Sequence, residues 1–191
     1  MCLNADPRHP SCLYHEEWTE NMIREREMYG DIFKMRVDMT HPHVDNYKIE
    51  DGKLTKVDCL FVAMSSATPI TKKGKQTFKI KLLNTSPNIY IGMCNAYVRH
   101  DVNIHSDHFV GLALWGLIYD RITSENVISR IREEDKPVVR MTVDFEEGVI
   151  CWYSDVQLVG SVPFPEQFRH STLYFVIGIR DIGVSVKLLD S

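Results

Sequence analysis

Residues 143–162 read "VDFEEGVICWYSDVQLVGSV", and the way this stretch folds decides what kind of protein carries it. In "VVRMTVDF" (138–145), Val139, Met141, Val143 and Phe145 share one side of an extended chain, and Arg140, Thr142 and Asp144 share the other. Glu146-Glu147-Gly148 then fits a three-residue hairpin loop, a type I turn closed by a glycine in the left-handed region. That register pairs Phe145 with Val149, Val143 with Cys151 and Met141 with Tyr153, so one face of the hairpin is apolar on both strands. Ile150 and Trp152 are left on the polar-leaning face, where a bare indole is costly. The reading therefore predicts a covering element over that outer face.

Asp144, Glu146 and Glu147 lie beside aromatic residues, which invites a hydrolase reading. Glycosidases built on a related sandwich set their acids as E-x-D-x-E along one strand, so that alternate carboxylates enter a cleft. Here the alternation breaks and the acids run into the turn. A solvated hairpin loop accounts for them better than a catalytic pair.

From residue 37 onward the pattern is short alternating runs: "VDCLFVAM", "TFKIKLL", "NIYIGMCNAYV", "FVGLAL", "VICWY", "LYFVIGIR" and "GVSVKLL". Turn signals such as Asp51-Gly52, Lys73-Gly74 and Ser86-Pro87-Asn88 separate them. Many short strands with no helices between them predict an antiparallel β-sandwich. Ahead of them, "HEEWTENMIREREMYGDIFKM" (15–35) has Trp18, Met22, Tyr29, Ile32 and Phe33 at helical spacing, interrupted by Gly30. An amphipathic helix of that length must pack on the domain or on a second chain, so it is the predicted cover for the outer face and the candidate homodimer element. The division expected is an arm and helix over 1–36 and a sandwich over 37–191.

At 191 residues the chain suffices for one well-buried domain hiding roughly 70% of its unfolded surface. A formal charge of -4 gives no reason to expect nucleic acid, and Lys72, Lys73 and Lys75 around Gly74 read as a solvated hairpin loop. The longest apolar run, "FVGLALWGLIY" (109–119), falls well short of the roughly 20 residues a membrane span needs, so it reads as a buried strand pair or turn region. "MCLNADPRHP" has no apolar core of a signal peptide. Five cysteines form an odd set, with Cys59, Cys94 and Cys151 inside apolar runs, which points to a reducing compartment, cytosol or nucleus, with the cytoplasm as the expectation.

At this point the residues resemble a family. "VDFEEGVICWYSDVQLVGSVPF" is similar to the signature hairpin of SPRY domains, "LYFVIGIRDIGVSVKL" to their closing strand pair, "IYIGMCNA" to an inner strand and "ALWGLIY" to their W-G segment. "RVDMTHPHVDNYKIEDGKLTKVD" resembles the PRY extension that precedes SPRY in butyrophilins and tripartite-motif proteins. Several motif positions depart from the family pattern: the L-D-P-x-T-A run is shortened to "MTHP" and the usual W-E-V strand reads Phe78-Lys79-Ile80. The resemblance implies an all-β, concanavalin-like antiparallel sandwich that binds a protein or peptide through loops at one rim. It implies neither catalysis nor a cofactor, and it places such modules within larger signalling or ubiquitin-ligase-type proteins.

By position the candidate rim is "SSATP" (65–69), "YVRHDVNIHSDH" (97–108) and "RDIG" (180–183). The candidate partner-binding residues are Ser65, Thr68, Tyr97, Arg99, His100, His105, Asp107, Arg180 and Asp181. Tyrosine and arginine are the types that anchor protein interfaces. Carbohydrate binding is the alternative, and it requires an exposed aromatic platform beside carboxylates; Trp115 and Trp152 sit in apolar strand contexts instead. Cys2, His9, Cys12 and His15 match zinc in ligand type but lack the paired-knuckle spacing, and no metal is assigned to them. No G-x-S-x-G elbow and no glycine-rich phosphate loop occurs.

Overall fold

The central hairpin closes with one more loop residue than its sequence suggests. In the computed structural model, Val149 pairs with Asp144, Ile150 with Val143 and Trp152 with Met141. The reason is Asp144: its Oδ1 accepts the backbone N–H groups of Glu146 (3.1 Å) and Glu147 (3.0 Å). The Gly148 N–H donates to its carbonyl (2.9 Å), with Gly148 at φ +66°. A side-chain capture of this kind makes Asp144 the last ladder residue and releases Phe145 into the loop. A one-residue slip exchanges the two faces of a strand. Ile150 and Trp152 therefore join Met141 and Val143 on the inner face, while Cys151 and Tyr153 fall outside. The predicted outer-face Trp152 is corrected: it is 0% exposed, and its Nε1 donates to the Ile91 carbonyl of the opposite sheet at 3.1 Å.

The structure describes residues 30–33, 35–84, 86–102, 106–119 and 137–189, with 24 and 28. Among them the strands are β1 (Asp31–Ile32), β2 (Tyr47–Glu50), β3 (Lys53–Lys56), β4 (Ala63–Ser65), β5 (Lys75–Leu82), β6 (Ile89–Asn95) and β7 (Phe109–Ala113). The remainder are β8 (Leu117–Tyr119), β9 (Val138–Asp144), β10 (Val149–Ser154), β11 (Gln157–Pro163), β12 (Leu173–Ile179) and β13 (Ser185–Leu189). The larger sheet runs β11-β10-β9-β5-β13-β3-β2, with β1 beside β5; the smaller runs β4-β12-β6-β7-β8. All pairings are antiparallel except β1 with β5. This is the expected sandwich.

The two sheets meet over a core of Phe78, Ile80, Met141, Val143, Ile150 and Trp152 from one side and Ile91, Met93, Leu112, Phe175 and Ile177 from the other, all 0% exposed. The smaller sheet is covered on its outer side as well, where Tyr90, Cys94, Phe109, Ala113, Tyr174 and Val176 form a second buried cluster. Burial on both faces is why β6 and β12 read as continuous apolar runs. Gly92 and Gly111 pair across β6 and β7 under the Phe109 ring, and a Cβ on Gly92 would lie 2.2 Å from the Val110 carbonyl oxygen. The run at 109–119 is the β7–β8 hairpin, and no helix among the described residues is long and apolar enough to cross a membrane.

Three expectations change here. Arg24 and Met28 are helical, but Gly30 turns the chain at φ +70° and residues 31–32 become a strand, so the end of the predicted 15–35 helix is not helical. Phe33 packs edge-on against Phe175 at 4.8 Å, within the sandwich rather than on a dimer face. The rest of that helix, the cover it was expected to supply and the Cys2, His9, Cys12 and His15 set lie outside the described residues. The Lys72–Lys75 segment is not a hairpin loop: it crosses from β4 in one sheet to β5 in the other, and Lys72 Nζ donates to the Phe168 and Arg169 carbonyls at 2.9 Å each. Cys59 lies in an exposed bend between β3 and β4, not in a strand.

Candidate functional site

The smaller sheet decides which loops can act together. β6 and β12 run antiparallel, with Asn95 opposite Leu173 at one end and Ile89 opposite Ile179 at the other. The six steps between these ends span about 20 Å. The candidate residues divide between the two ends, so the expectation of a single rim is corrected.

At the far end, the Arg180 N–H donates to the Asn88 carbonyl at 3.0 Å while its side chain is exposed. Asp181 accepts from Ser86 Oγ (2.6 Å) and Asn88 Nδ2 (3.0 Å), so its carboxylate fastens two turns together. Trp115, 41% exposed, lies on the β7–β8 turn at this same end, because Ala113 pairs with Tyr90.

At the near end, Asn95 sets the geometry. Its Oδ1 accepts the Tyr97 N–H (3.1 Å) at the start of a 3-10 turn, Ala96–Val98, and its Nδ2 donates to His108 Nδ1 (2.9 Å). The Tyr97 ring, 86% exposed, sits 5.5 Å from the His108 ring. Thr68 is exposed on the neighbouring turn, where its carbonyl accepts Ser66 Oγ at 2.7 Å. The Asp107 carbonyl accepts Gln167 Nε2 at 3.2 Å. Ser65 cannot contact a partner: it is 0% exposed within β4, which is flanked by β12. His105 lies outside the described residues.

Sequence reasoning overlooked the group that anchors this end. Asp38 is buried, and its Oδ1 accepts from Thr40 N (3.0 Å) and Thr40 Oγ1 (2.7 Å). Its Oδ2 contacts the Arg99 guanidinium and His100 Nε2, the latter at 3.1 Å. Burial pushes the Asp38 carboxyl up, but the Thr40 and His100 hydrogen bonds and the Arg99 charge outweigh it and hold it well below the usual carboxylate range. Arg99 also stacks its guanidinium 4.4 Å over the Tyr174 ring, which fixes the loop to β12. The D-x-T spacing at 38–40 is the local signal, because an aspartate two residues before a hydroxyl donor favours this kind of turn.

No family model matches the sequence, and no curated protein matches it. Solved structures do match. The PSpry domain of TRIM65 superposes with a TM-score of 0.67 at 10% identity, covering 89% of this chain and 99% of that one. This chain has the SPRY fold. The SPRY domain of human HERC1 gives a TM-score of 0.58 at 16% identity over 75% of this chain and 92% of its own. A further human SPRY domain gives 0.60 at 16% identity over 75% and 94%. The longer match to the PSpry domain agrees with the N-terminal segment, where Val37 bridges to Ser66 and β2 and β3 complete the larger sheet. Within the SPRY sandwich, the rim at the Asn95 end is formed by the Asp38–His43 turn, the turn after β4 and the 96–102 loop. Among the described residues, no group of three or more His, Cys, Asp or Glu side chains is arranged to hold a metal ion.

Proposed function

We propose that this SPRY sandwich is a non-catalytic module that recognises a protein or peptide with the loops at its Asn95 end. The observation that supports this most is Tyr97. Tyrosine is a residue type that anchors protein interfaces, and this one is 86% exposed with its backbone capped by Asn95 at the end of a strand buried throughout. Arg99 and His100, held by Asp38, flank it on a base that a partner need not reorganise, which lowers the cost of binding. Recognition within a larger signalling or ubiquitin-ligase-type protein suits a module of this kind, and a cytoplasmic setting goes with it.

Catalysis has no support from the acids at 144–147. Asp144 is engaged in closing its own loop, and Glu146 and Glu147 are exposed on it. Carbohydrate binding is not favoured: Trp152 is wholly buried, and Trp115 lies at the far end.

The test is an affinity pull-down from lysate with the intact chain, Tyr97→Ala and Arg180→Ala, after thermal melts show all three equally folded. Proteins retained by the intact chain and by Arg180→Ala but lost by Tyr97→Ala are the expected result. If Tyr97→Ala retains the same proteins, the near-end reading is wrong.

A further inference from the structure

We propose that His41 is an acid-operated release for the loop that carries Tyr97. The consequence for binding rests on the near-end reading above; the switch itself does not. His41 is 2% exposed, and its ring lies edge-on to the His100 ring at 5.2 Å and tilted against the His43 ring at 5.9 Å. Its Nδ1 accepts the His43 N–H at 3.2 Å, so the neutral ring carries its single proton on Nε2, a buried atom with no hydrogen-bond partner.

A second proton must go to Nδ1, and it would meet the His43 N–H head-on, donor against donor. The resulting cation would be buried among Arg99 and His100 from the facing loop and His43 from its own segment. The facing carboxylate is Asp38, and both its oxygens are already engaged: Oδ1 by the Thr40 N–H and hydroxyl, Oδ2 by Arg99 and His100. An unpaired buried cation is not tolerated, so protonated His41 must turn out into water. The His41 backbone N–H donates to the Asp38 carbonyl at 3.1 Å, so the segment that must shift to let the ring out is hydrogen-bonded to the Asp38 turn. Asp38 holds Arg99 and His100, so the 96–102 loop loses that tether while the Asn95 cap and the Tyr174 contact remain. Burial, with His100, His43 and Arg99 acting in the same direction and Asp38 opposing, brings the buried imidazole down from 6.5 to about 4, so the ring stays neutral and in place at neutral pH.

The experiment is an NMR pH titration of the whole chain from pH 7 to 3.5. It follows the His41 ring carbons, the backbone amides of Arg99 and His100, and Ile91 as a core control, in the natural chain and in His41→Asn. Asparagine keeps an acceptor for the His43 N–H but cannot take up the proton. Expected is a His41 midpoint near pH 4, with the Arg99 and His100 amides moving at the same midpoint, Ile91 still, and that movement absent from His41→Asn. Two results overturn the inference: a His41 midpoint near 6.5 in the natural chain, which needs no variant, or Arg99 and His100 amides that stay fixed while His41 titrates. Retention of the same proteins by Tyr97→Ala at pH 7 would refute the near-end reading and leave this switch standing.

Discussion

Trp152 is the residue whose substitution tests the hairpin register most severely. Its side chain is fully buried between the sheets, and its Nε1 satisfies the Ile91 carbonyl across the core. Trp152→Ala removes one of the largest buried side chains in the chain, a change that costs about 3–5 kcal/mol once the cavity is included. Since a domain has only about 5–15 kcal/mol in hand, such a variant is close to unfolding. Trp152→Phe keeps most of the apolar contact but leaves the Ile91 carbonyl without its donor, and should cost about 1–3 kcal/mol. Cys151 is the counterpart: the observed register puts it on the outer face opposite Thr142, half-buried, so Cys151→Ser should cost about 1 kcal/mol or less. Urea unfolding followed by circular dichroism measures all three, compared at constant slope. A Cys151→Ser variant that loses more stability than Trp152→Phe would refute the argument, because that ordering belongs to the three-residue loop.

Further consequences follow from the same geometry. Gly92→Ala should fail to give soluble folded protein, since its Cβ would lie 2.2 Å from the Val110 carbonyl oxygen and 2.7 Å from Gly111 Cα; a melt within a few degrees of the parent would contradict this. Burial pushes the Cys94 thiol up to about 12, so iodoacetamide at pH 7.5 should leave Cys94 unmodified until denaturant is added while exposed Cys59 reacts, as peptide mapping would show. His41 also makes stability depend on pH. Between 6.5 and about 4 the unfolded chain binds a proton that the folded chain does not, so stability falls as pH drops through that window. The gap between the two values corresponds to about 3 kcal/mol, all of it expressed by pH 4. Urea titrations at pH 7 and pH 4 should show His41→Asn losing less stability than the parent by that amount; equal losses would refute it.

The fold class was legible because period-2 alternation and frequent turn residues survive in a single sequence. The hairpin resemblance located the sandwich correctly although its register was one residue off. What defeated the register was a side chain, Asp144, competing with the ladder for two backbone N–H groups, an outcome that alternation alone does not encode. Residues 31–33 followed helical spacing in sequence but were captured by the sheet, where β1 pairs with β5 and Phe33 reaches Phe175. Tyr97, Arg99 and His100 were placed together from their loop. Arg180 and Asp181 stand at the opposite end, which a contiguous apolar strand of seven residues does not reveal, because its sequence does not say which of its ends faces which loop. Ser65 looked like a loop residue, since burial on both faces of a sheet leaves no polar alternation to read. Asp38 and His41 stand in the stretch that resembles PRY, but their role was not legible there, because Asp38 meets Arg99 and His100, and His41 meets His100, some sixty residues away.

The most direct test of the account is site-specific photocross-linking with a benzophenone amino acid placed at residue 97 in one variant and at residue 180 in another. Both are activated in lysate and their adducts identified by mass spectrometry. Recognition at the Asn95 end predicts a discrete adduct from position 97, diminished by excess natural chain, and none from position 180. An adduct from position 180 with none from position 97 would move the binding surface to the opposite end of the sandwich and contradict the central claim.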